Sequence, residues 1–489
     1  MPRQPKNITT VAFVSLGCPK NLVDSERMLG LLAEDGLVIT PDHNQADVIV
    51  INTCGFLQAA KEESLREIRD AVALKHNGRC KRVIVAGCLV QREKTNLLHA
   101  VPQVDRLVGV FDREHIVDAV RGKENPRQDH GHFLGNYHDL SKKLAATLAM
   151  PSAGIKQTKT TRLPVFEDDR ARLRLTPRHY AYLRISEGCN QACAFCTIPS
   201  IRGPIRSKPV EQILAEAREL ADDDAVELIL IGQDTTSYGA DIAYAPGLAG
   251  LLRTLDKQLD PHLRWLRLMY AYPSCFTDEM IRTIADSRRV LKYIDIPLQH
   301  INDEILTKMR RRVTRNQVET LLDKLRKWIP GIAIRTTFIA GTPGETDAQH
   351  QELVRFVRDF AFDMMGVFPY SRESSTPMAR LDNQIPENLK QHRVHELMLT
   401  QQHLAFAKAK AMKGKTIHVL VDAAPKGASH HWIARSQSQA PEIDSTVLIK
   451  ADHLHPGQFI DVKVTRSQAY DLIAEPAKKK SRSLTILES

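Results

Sequence analysis

The sequence predicts an α/β protein in three parts: an N-terminal parallel α/β domain, a partial (β/α) TIM-like barrel and a small all-β barrel at the C-terminus. Two separate series of short apolar runs alternate with amphipathic stretches, which is typical of parallel strands connected by helices. The last sixty or so residues alternate short strands with turns. At 489 residues the chain is also too long for one hydrophobic core.

Composition limits the class of protein. Hydrophobic residues make up 43% of the chain, and no apolar stretch is long enough to cross a bilayer. The start, "MPRQPKNITT", lacks the apolar run of a secretory signal. We therefore expect a cytoplasmic protein with no membrane partner, whose eight cysteines are free or bind a metal. The net charge of +10 could steer the protein toward nucleic acid or a ribonucleoprotein.

The N-terminal domain is predicted over residues 8–122. Its candidate strands are "VAFVSLGC", "ADVIVINTC", "RVIVAGC" and "RLVGV". Three of these runs close with a cysteine, at Cys18, Cys54 and Cys88. Ligands bind beyond the carboxyl ends of the strands in open α/β sheets, so the three thiols should converge at that edge unless their placement is chance.

A polar stretch over residues 123–175 predicts a linker or insertion. The second series of strands and helices covers residues 176–412, and its reactive groups should lie at the strand carboxyl ends. Its candidate strands are "HYAYLRIS", "AVELILIG", "LRWLRLMYAY", "LKYIDIP", "GIAIRTTFIAG" and "DMMGVFPYS". The small β-barrel is predicted over residues 413–478, and residues 479–489 form a basic tail.

Three further cysteines, Cys189, Cys193 and Cys196, follow the first strand of the second series with the spacing C-x3-C-x2-C. Structural zinc normally takes four ligands in paired C-x2-C units, and no fourth cysteine or histidine lies close by. An iron–sulfur cluster held by three thiolates would keep one iron open to a substrate or cofactor. A purely structural cysteine loop is the remaining alternative.

This motif after such a strand resembles the radical S-adenosylmethionine superfamily. The resemblance implies that the open iron binds the amino and carboxylate groups of S-adenosylmethionine, which is then cleaved to a 5′-deoxyadenosyl radical. It also implies that Phe195 packs near the adenine, that Gln233 contacts the cofactor and that Gly341 allows close backbone approach to it. Core packing for Phe195 and a tight turn for Gly341 are the plainer interpretations. Arg335 could meet a carboxylate, although a surface position is the simpler expectation.

The order of the three domains resembles the methylthiotransferases within that superfamily. The resemblance implies that Cys18, Cys54 and Cys88 hold a second, auxiliary 4Fe-4S cluster with its own open iron. One S-adenosylmethionine would then methylate a sulfur at this cluster, and another would provide the radical that removes hydrogen from an unactivated carbon. Five stretches favour the branch that modifies the β carbon of an aspartate in small-subunit ribosomal protein twelve: "SLGCPKNLVDSE", "YAYPS", "IDIPLQHINDEIL", "RTTFIAGTPGET" and "GVFPYSRESSTP".

Two other functions stay open from the sequence. One is a tRNA adenosine (MiaB-like) methylthiotransferase, and the other is a redox or RNA-binding iron–sulfur module without catalysis. From Lys413 to Pro476 seven basic residues face seven acidic ones. A domain resembling the TRAM RNA-binding module but without net positive charge suits a protein substrate better than bare tRNA. An electron donor such as flavodoxin or ferredoxin is implied by the family, and Cys80 and Cys275 are expected to be packing residues.

Overall fold

The computed structural model describes residues 8–123, 131–137, 168–425 and 431–477. Most of the predicted insertion and the predicted basic tail lie outside the described residues. The predicted domain limits stay predictions, but the three kinds of structure expected from the sequence are all present.

The N-terminal part is a five-stranded parallel sheet in the order β2-β1-β3-β4-β5. Its strands are β1 Thr10–Ser15, β2 Val38–Thr40, β3 Val48–Thr53, β4 Arg82–Gly87 and β5 Arg106–Val108. Its helices are α1 Pro19–Glu34, α2 Gln58–Asn77, α3 Cys88–Glu93, α4 Leu97–Ala100 and α5 Ile116–Arg121. All six residues of β3 are buried, because helices cover both faces of this sheet.

The central part is an open barrel of six strands. They are β6 Tyr180–Arg184, β9 Glu227–Ile231, β10 Trp265–Leu268, β11 Tyr293–Asp295, β12 Ala333–Ala340 and β13 Met364–Pro369, and a small hairpin, β7 Ser186–Glu187 with β8 Arg206–Ser207, follows β6. The ladders β10-β9-β6 and β11-β12-β13 are joined by one backbone bridge between Leu266 and Val290. Within the described ranges β6 and β13 share no ladder, so the predicted partial barrel is confirmed.

Eight helices follow these strands around the outside. They are α6 Ile198–Arg202, α7 Val210–Asp222, α8 Gly247–Gln258, α9 Asp278–Asp286, α10 Asp303–Lys308, α11 Arg315–Trp328, α12 Asp347–Phe360 and α13 Glu387–Ala411. N-cap side chains mark the start of two of these helices. Thr314 and Thr346 each form a capping box with the glutamine three residues later. The apolar faces of the helices pack on the outer face of the barrel and form the largest buried cluster.

The C-terminal part is a closed five-stranded barrel in the order β14-β15-β16-β18-β17. Its strands are β14 Thr416–Ala423, β15 His431–Ser436, β16 Val447–Lys450, β17 Phe459–Gln468 and β18 Asp471–Pro476. This barrel packs against the amino ends of the central strands, where Arg435 pairs with Glu227 at 2.6 Å and Tyr293 donates to Asp444 at 2.8 Å. It therefore lies at the opposite end from the strand carboxyl ends.

The interior of the central barrel is filled from both ends. One buried cluster runs from Val23 of α1, through Tyr182 and Ile229 on the strands, to Leu420 of the C-terminal barrel. The two flanking domains thus contribute side chains to the barrel core. Among the described helices, none combines the length and the apolar character needed to cross a membrane.

Arg335 corrects one expectation. The sequence suggested a surface arginine, whereas the side chain is mostly buried and pairs with Asp295 at 2.9 Å and with Asp444 at 3.4 Å. These two carboxylates raise the pKa of Arg335 against the opposing effect of burial. Arg335 therefore connects the central strands to the C-terminal barrel, a contact that spans about a hundred residues of sequence.

Candidate active site

The first cysteine triad lies at the carboxyl edge of the N-terminal sheet, as predicted. Cys18 precedes the first residue of α1, Cys54 directly follows β3, and Cys88 is the first residue of α3 after β4. Glycines let these turns approach closely. A Cβ on Gly17, whose φ is +94°, would lie 2.8 Å from Cβ of Cys54, and one on Gly87 would lie within 2.7 Å of a backbone oxygen.

The second triad lies in the loop after β6 and β7, and backbone hydrogen bonds fix this loop on three sides. Cys189 N–H donates to Gly203 at 3.1 Å, Ala194 N–H donates to Met309 at 3.0 Å, and the Ala194 carbonyl accepts from Met378 at 2.9 Å. The neighbours Met309 and Met378 are far apart in sequence, so the loop depends on the completed barrel.

All six cysteines line a single cavity of about 490 Å³. Its walls come from the N-terminal sheet edge and from the carboxyl ends of the central strands, and residues of the C-terminal barrel are not among its lining. The remaining lining is mostly apolar and aromatic, including Phe56, Tyr272 and Phe368. Two groups of three thiols thus face one chamber between two domains.

Burial makes these thiols poor thiolates by themselves. It raises the pKa of Cys88, Cys189 and Cys196 to about 12 and also raises the pKa of Cys54. A bound cation would have to hold these sulfurs deprotonated. Within the described residues no three Cys, His, Asp or Glu side chains are arranged around one metal ion. Three cysteine thiolates are the ligand type of an iron–sulfur cluster, which accepts each thiolate on a different iron.

Hydrogen bonds to sulfur support the same conclusion. The backbone N–H groups of Gln191 and Ile198 lie 3.5 Å from Cys189 Sγ and 3.4 Å from Cys196 Sγ. Donors of this kind stabilise and tune sulfurs that ligate iron.

Each triad also has one arginine on one sulfur. Arg202 Nη2 donates to Cys88 Sγ at 3.0 Å, and Arg311 Nη1 donates to Cys193 Sγ at 3.5 Å. Arg202 belongs to the central part and Cys88 to the N-terminal part, so this contact crosses the domain boundary. Arg311 packs 4.1 Å from the centroid of the Tyr272 ring, which fixes its guanidinium.

A buried ionic network fixes the two triads relative to each other. Asp24 of α1 accepts from Arg113, Arg184 and Arg202, each at 2.7 Å. Asp169 accepts from Arg113 at 2.8 Å and from Lys208 at 3.0 Å. These arginines hold the pKa of both carboxyls well below the ordinary value, against the opposing effect of burial. Asp169 lies in the segment predicted as an insertion, so that segment takes part in joining the domains.

A second contact joins the two domains on the other side of the chamber. Glu373 accepts from Arg92 at 2.7 Å and from the backbone N–H of Gln58 at 3.0 Å. Arg92 also donates to the carbonyl of Gly55 at 2.8 Å, directly beside Cys54. The two domains are therefore connected both at α1 and at the start of α2.

The other predicted site residues separate into two groups. Phe195 and Gln233 line the chamber, and Gln233 donates to Glu187. Gly341 is not among the lining residues: its φ is +76°, and a Cβ there would lie 2.4 Å from Cγ of Lys390. Helix α13 thus explains this glycine by packing, and its cofactor contact stays a prediction.

The two remaining cysteines lie apart from the chamber lining. Cys80 is buried in the N-terminal core, as expected of a packing residue. Cys275 is half-buried, and its sulfur accepts from the side chain of Gln191 at 3.3 Å. It therefore contacts the loop that contains the second triad.

Among the chamber residues that sequence reasoning did not identify are four with polar or aromatic side chains: Lys20, Arg202, Tyr270 and Arg311. Lys20 and Tyr270 lie inside the quoted stretches "SLGCPKNLVDSE" and "YAYPS". The family resemblance therefore included both residues, but it did not indicate what either side chain does. The two arginines resemble many others in a chain with 68 basic residues, and only the fold brings them to sulfur.

Three sequence families match the chain in the order of its domains. Residues 10–109 match the Uncharacterized protein family UPF0004, residues 183–357 match the Radical SAM superfamily, and residues 414–476 match the TRAM domain.

Curated relatives match almost the whole chain. A "Ribosomal protein uS12 methylthiotransferase RimO" from Trichlorobacter lovleyi is 42% identical, with 95% of this chain and 97% of the relative covered. Proteins of the same name from Desulforamulus reducens and Geobacter sulfurreducens are 40% and 41% identical, and they cover 96% and 95% of this chain and 99% and 98% of their own.

Among solved structures, the radical S-adenosylmethionine methyltransferase TsrM from Kitasatospora setae, with cobalamin and a [4Fe-4S] cluster bound, has a TM-score of 0.53. The match has 14% identity and covers 76% of this chain and 74% of that one, so it supports the fold alone. The domain order and the near-complete relatives agree on a single family. The chain belongs to the RimO family of methylthiotransferases within the radical SAM superfamily.

Proposed function

We propose that this protein inserts a methylthio group at the β carbon of an aspartate in ribosomal protein uS12. The observation that carries the proposal is the single chamber lined by two cysteine triads from two domains. The relatives that cover almost the whole chain are named uS12 methylthiotransferases. Their family uses S-adenosylmethionine and [4Fe-4S] clusters.

We assign the auxiliary cluster to Cys18, Cys54 and Cys88, and the cluster that binds S-adenosylmethionine to Cys189, Cys193 and Cys196. When bound, these groups supply the radical and the sulfur, which a protein side chain cannot provide. The chain supplies the cysteine sulfurs that would hold the clusters, and Arg202 and Arg311 each donate to one of these sulfurs. The walls around them are mostly apolar. Exclusion of water by these walls protects a reactive intermediate from side reactions.

The charge balance of the C-terminal barrel supports a protein substrate. Asp422, Asp444 and Arg435 of this barrel are directed at the central domain, as their ion pairs and hydrogen bonds show. Without these three residues, the stretch from Lys413 to Pro476 has six basic and five acidic residues. One of the six basic residues, Lys426, lies outside the described residues. The remaining balance stays close to zero, which is unfavourable for a phosphate backbone.

The mouth of the chamber also suits a polypeptide loop. Phe368 lines the chamber and is 50% exposed, so it presents an apolar surface where a substrate would enter. A cytoplasmic location and electron delivery by a flavodoxin or ferredoxin complete the proposal.

Serine substitutions test the assignment of the two triads. Reconstituted wild-type protein should contain roughly eight irons, as two [4Fe-4S] clusters require. Serine at Cys189, Cys193 and Cys196 should remove about half of the iron and abolish formation of 5′-deoxyadenosine. Serine at Cys18, Cys54 and Cys88 should also remove about half but leave 5′-deoxyadenosine formation and stop sulfur insertion. Sulfur insertion by this second variant would contradict the assignment.

Mass spectrometry tests the substrate. In a strain lacking the gene, uS12 should lose the mass of a methylthio group, while methylthiolated tRNA nucleosides should stay at their wild-type level. A loss confined to the tRNA nucleosides would overturn the proposal in favour of a tRNA methylthiotransferase.

A further inference from the structure

The chamber contains one ammonium group, that of Lys20, for which the described residues supply no ion-pair partner. Lys20, the second residue of α1, lines the chamber and is 7% exposed. Its Nζ lies 3.2 Å from the centroid of the Tyr270 ring. Among the residues that the structure describes, no carboxylate lies within ion-pair distance of this ammonium. A buried ammonium that lacks a carboxylate partner within ion-pair distance is suited to an anion that binds there.

The Tyr270 ring is held under this ammonium by an unusual backbone. Tyr270 has a φ of +60°, in the left-handed region that bulky residues rarely adopt. Its N–H donates to Asp295 at 3.1 Å, and its carbonyl accepts from the N–H of Thr235 at 3.1 Å. Such strained residues persist where their surroundings fix them, and they concentrate at functional sites.

The other two cations of the chamber already have partners. Arg202 donates to Cys88 and pairs with Asp24 at 2.7 Å, while Arg311 donates to Cys193 and to the carbonyl of Pro297. Among the described residues Lys20 makes no such hydrogen bond to a cysteine, although it lies two residues after Cys18 along the chain. Each triad thus has an arginine on one sulfur, and Lys20 lines the chamber that the two triads share.

We propose that Lys20, held by the face of Tyr270, binds the carboxylate of the aspartate that is modified. This inference rests on the proposed function. The β carbon of an aspartate is bonded directly to its carboxyl carbon. A carboxylate that is bound by Lys20 therefore fixes the position of the reacting carbon. Positioning of this kind is a principal contribution of a protein to a difficult reaction. An adenine base has no carboxylate, so Lys20 also selects an aspartate over a nucleoside.

The experiment compares two substrates on reconstituted protein: purified uS12 and uS12 in which the target aspartate is replaced by asparagine. The variants are Lys20→Met, which removes the charge, and Lys20→Arg, which keeps it. Lys61→Met is the matched control, because Lys61 of α2 pairs with Glu93 of α3 at 2.7 Å and is not among the chamber residues. Iron content, cluster spectra and the dissociation constant of S-adenosylmethionine are measured for each variant.

Wild-type protein and Lys61→Met should favour the aspartate substrate over the asparagine substrate at least tenfold in kcat/KM. Lys20→Met should lose most of this preference, mainly through a higher KM for the aspartate substrate, and Lys20→Arg should regain part of it. Iron content and cofactor affinity should stay at wild-type values.

Three results would overturn the inference. Lys20→Met could retain the preference for aspartate, could lose iron or change the cluster spectra, or could bind S-adenosylmethionine more weakly with an unchanged KM for uS12. The last two would assign Lys20 to the auxiliary cluster or to the cofactor carboxylate. If wild-type protein modifies neither form of uS12, the proposed function fails first, and the inference fails with it.

Discussion

Replacement of Asp24 by asparagine should loosen the junction between the N-terminal and central domains. Asp24 accepts from Arg113, Arg184 and Arg202 at 2.7 Å each, and all four side chains are at least nine-tenths buried. Asparagine keeps the shape of the side chain but removes the negative charge that these three guanidinium groups share. Breaking a buried ion pair in this way costs about 3–5 kcal/mol.

Hydrogen exchange measures this loss where the domains meet. The N–H of Leu173 donates to the carbonyl of Glu26 at 3.0 Å, and that of Leu175 donates to its carboxylate at 2.9 Å, so both amides report on the junction with α1. If opening of the junction exposes them, the predicted cost corresponds to a loss of protection between roughly 100-fold and 5,000-fold. Peptides covering residues 168–178 can be followed by mass spectrometry.

A surface carboxylate provides the matched control. Asp278 is 50% exposed and pairs with Lys324, which is 38% exposed, so Asp278→Asn should change stability by less than about 1 kcal/mol and leave the junction amides unchanged. Because the pKa of Asp24 lies below its ordinary 3.8, its contribution is fully present above about pH 4, and the comparison holds at neutral pH. A loss of protection below tenfold in Asp24→Asn would refute the reasoning.

Two further predictions concern the chamber arginines and a buried histidine. Arg202→Gln and Arg311→Gln should each lower the reduction potential of the adjacent cluster only, by tens of millivolts, since a charge-assisted hydrogen bond of ~1.5–3 kcal/mol corresponds to at most ~60–130 mV for one electron. Redox titrations followed by electron paramagnetic resonance would check this, and equal shifts of both clusters in either variant would contradict it. Burial lowers the pKa of His300 from 6.5 to about 3, so its neutral form stabilises the fold above pH 6.5, and this contribution is lost as the pH falls toward 3. His300→Gln should therefore flatten the fall of Tm between these values, and unchanged pH profiles would show that His300 is not responsible.

The sequence was informative about local features. Apolar runs of four to six residues predicted the strands, and a cysteine at the end of each relevant run predicted the edge at which the thiols lie. Cys54, for example, is placed by β3 alone, because a parallel strand directs whatever follows it to the carboxyl edge. These positions depend on the backbone within a few residues, which is the information that a local pattern contains.

Other parts of the site depend on contacts between distant segments. Gly341 resembled a cofactor contact in the sequence, yet its tight environment comes from Lys390 on a helix far along the chain. Asp169 lies in a stretch without periodicity and still accepts from arginines of two domains. A charged residue in a polar segment is normally solvated, so no local pattern predicts its burial.

Local sequence patterns were sufficient to predict the three kinds of domain, the two cysteine triads and the chemistry that such triads support. The folded chain was needed to show that both triads line one chamber and that Arg202 reaches Cys88 across a domain boundary. It was also needed to show that Lys20 is buried on Tyr270 with no carboxylate of the described residues within ion-pair distance. The physical reason is that strand pattern and ligand type are properties of short segments. The direction and pairing of a buried charge depend on which segments, separated by a hundred residues or more, pack against it.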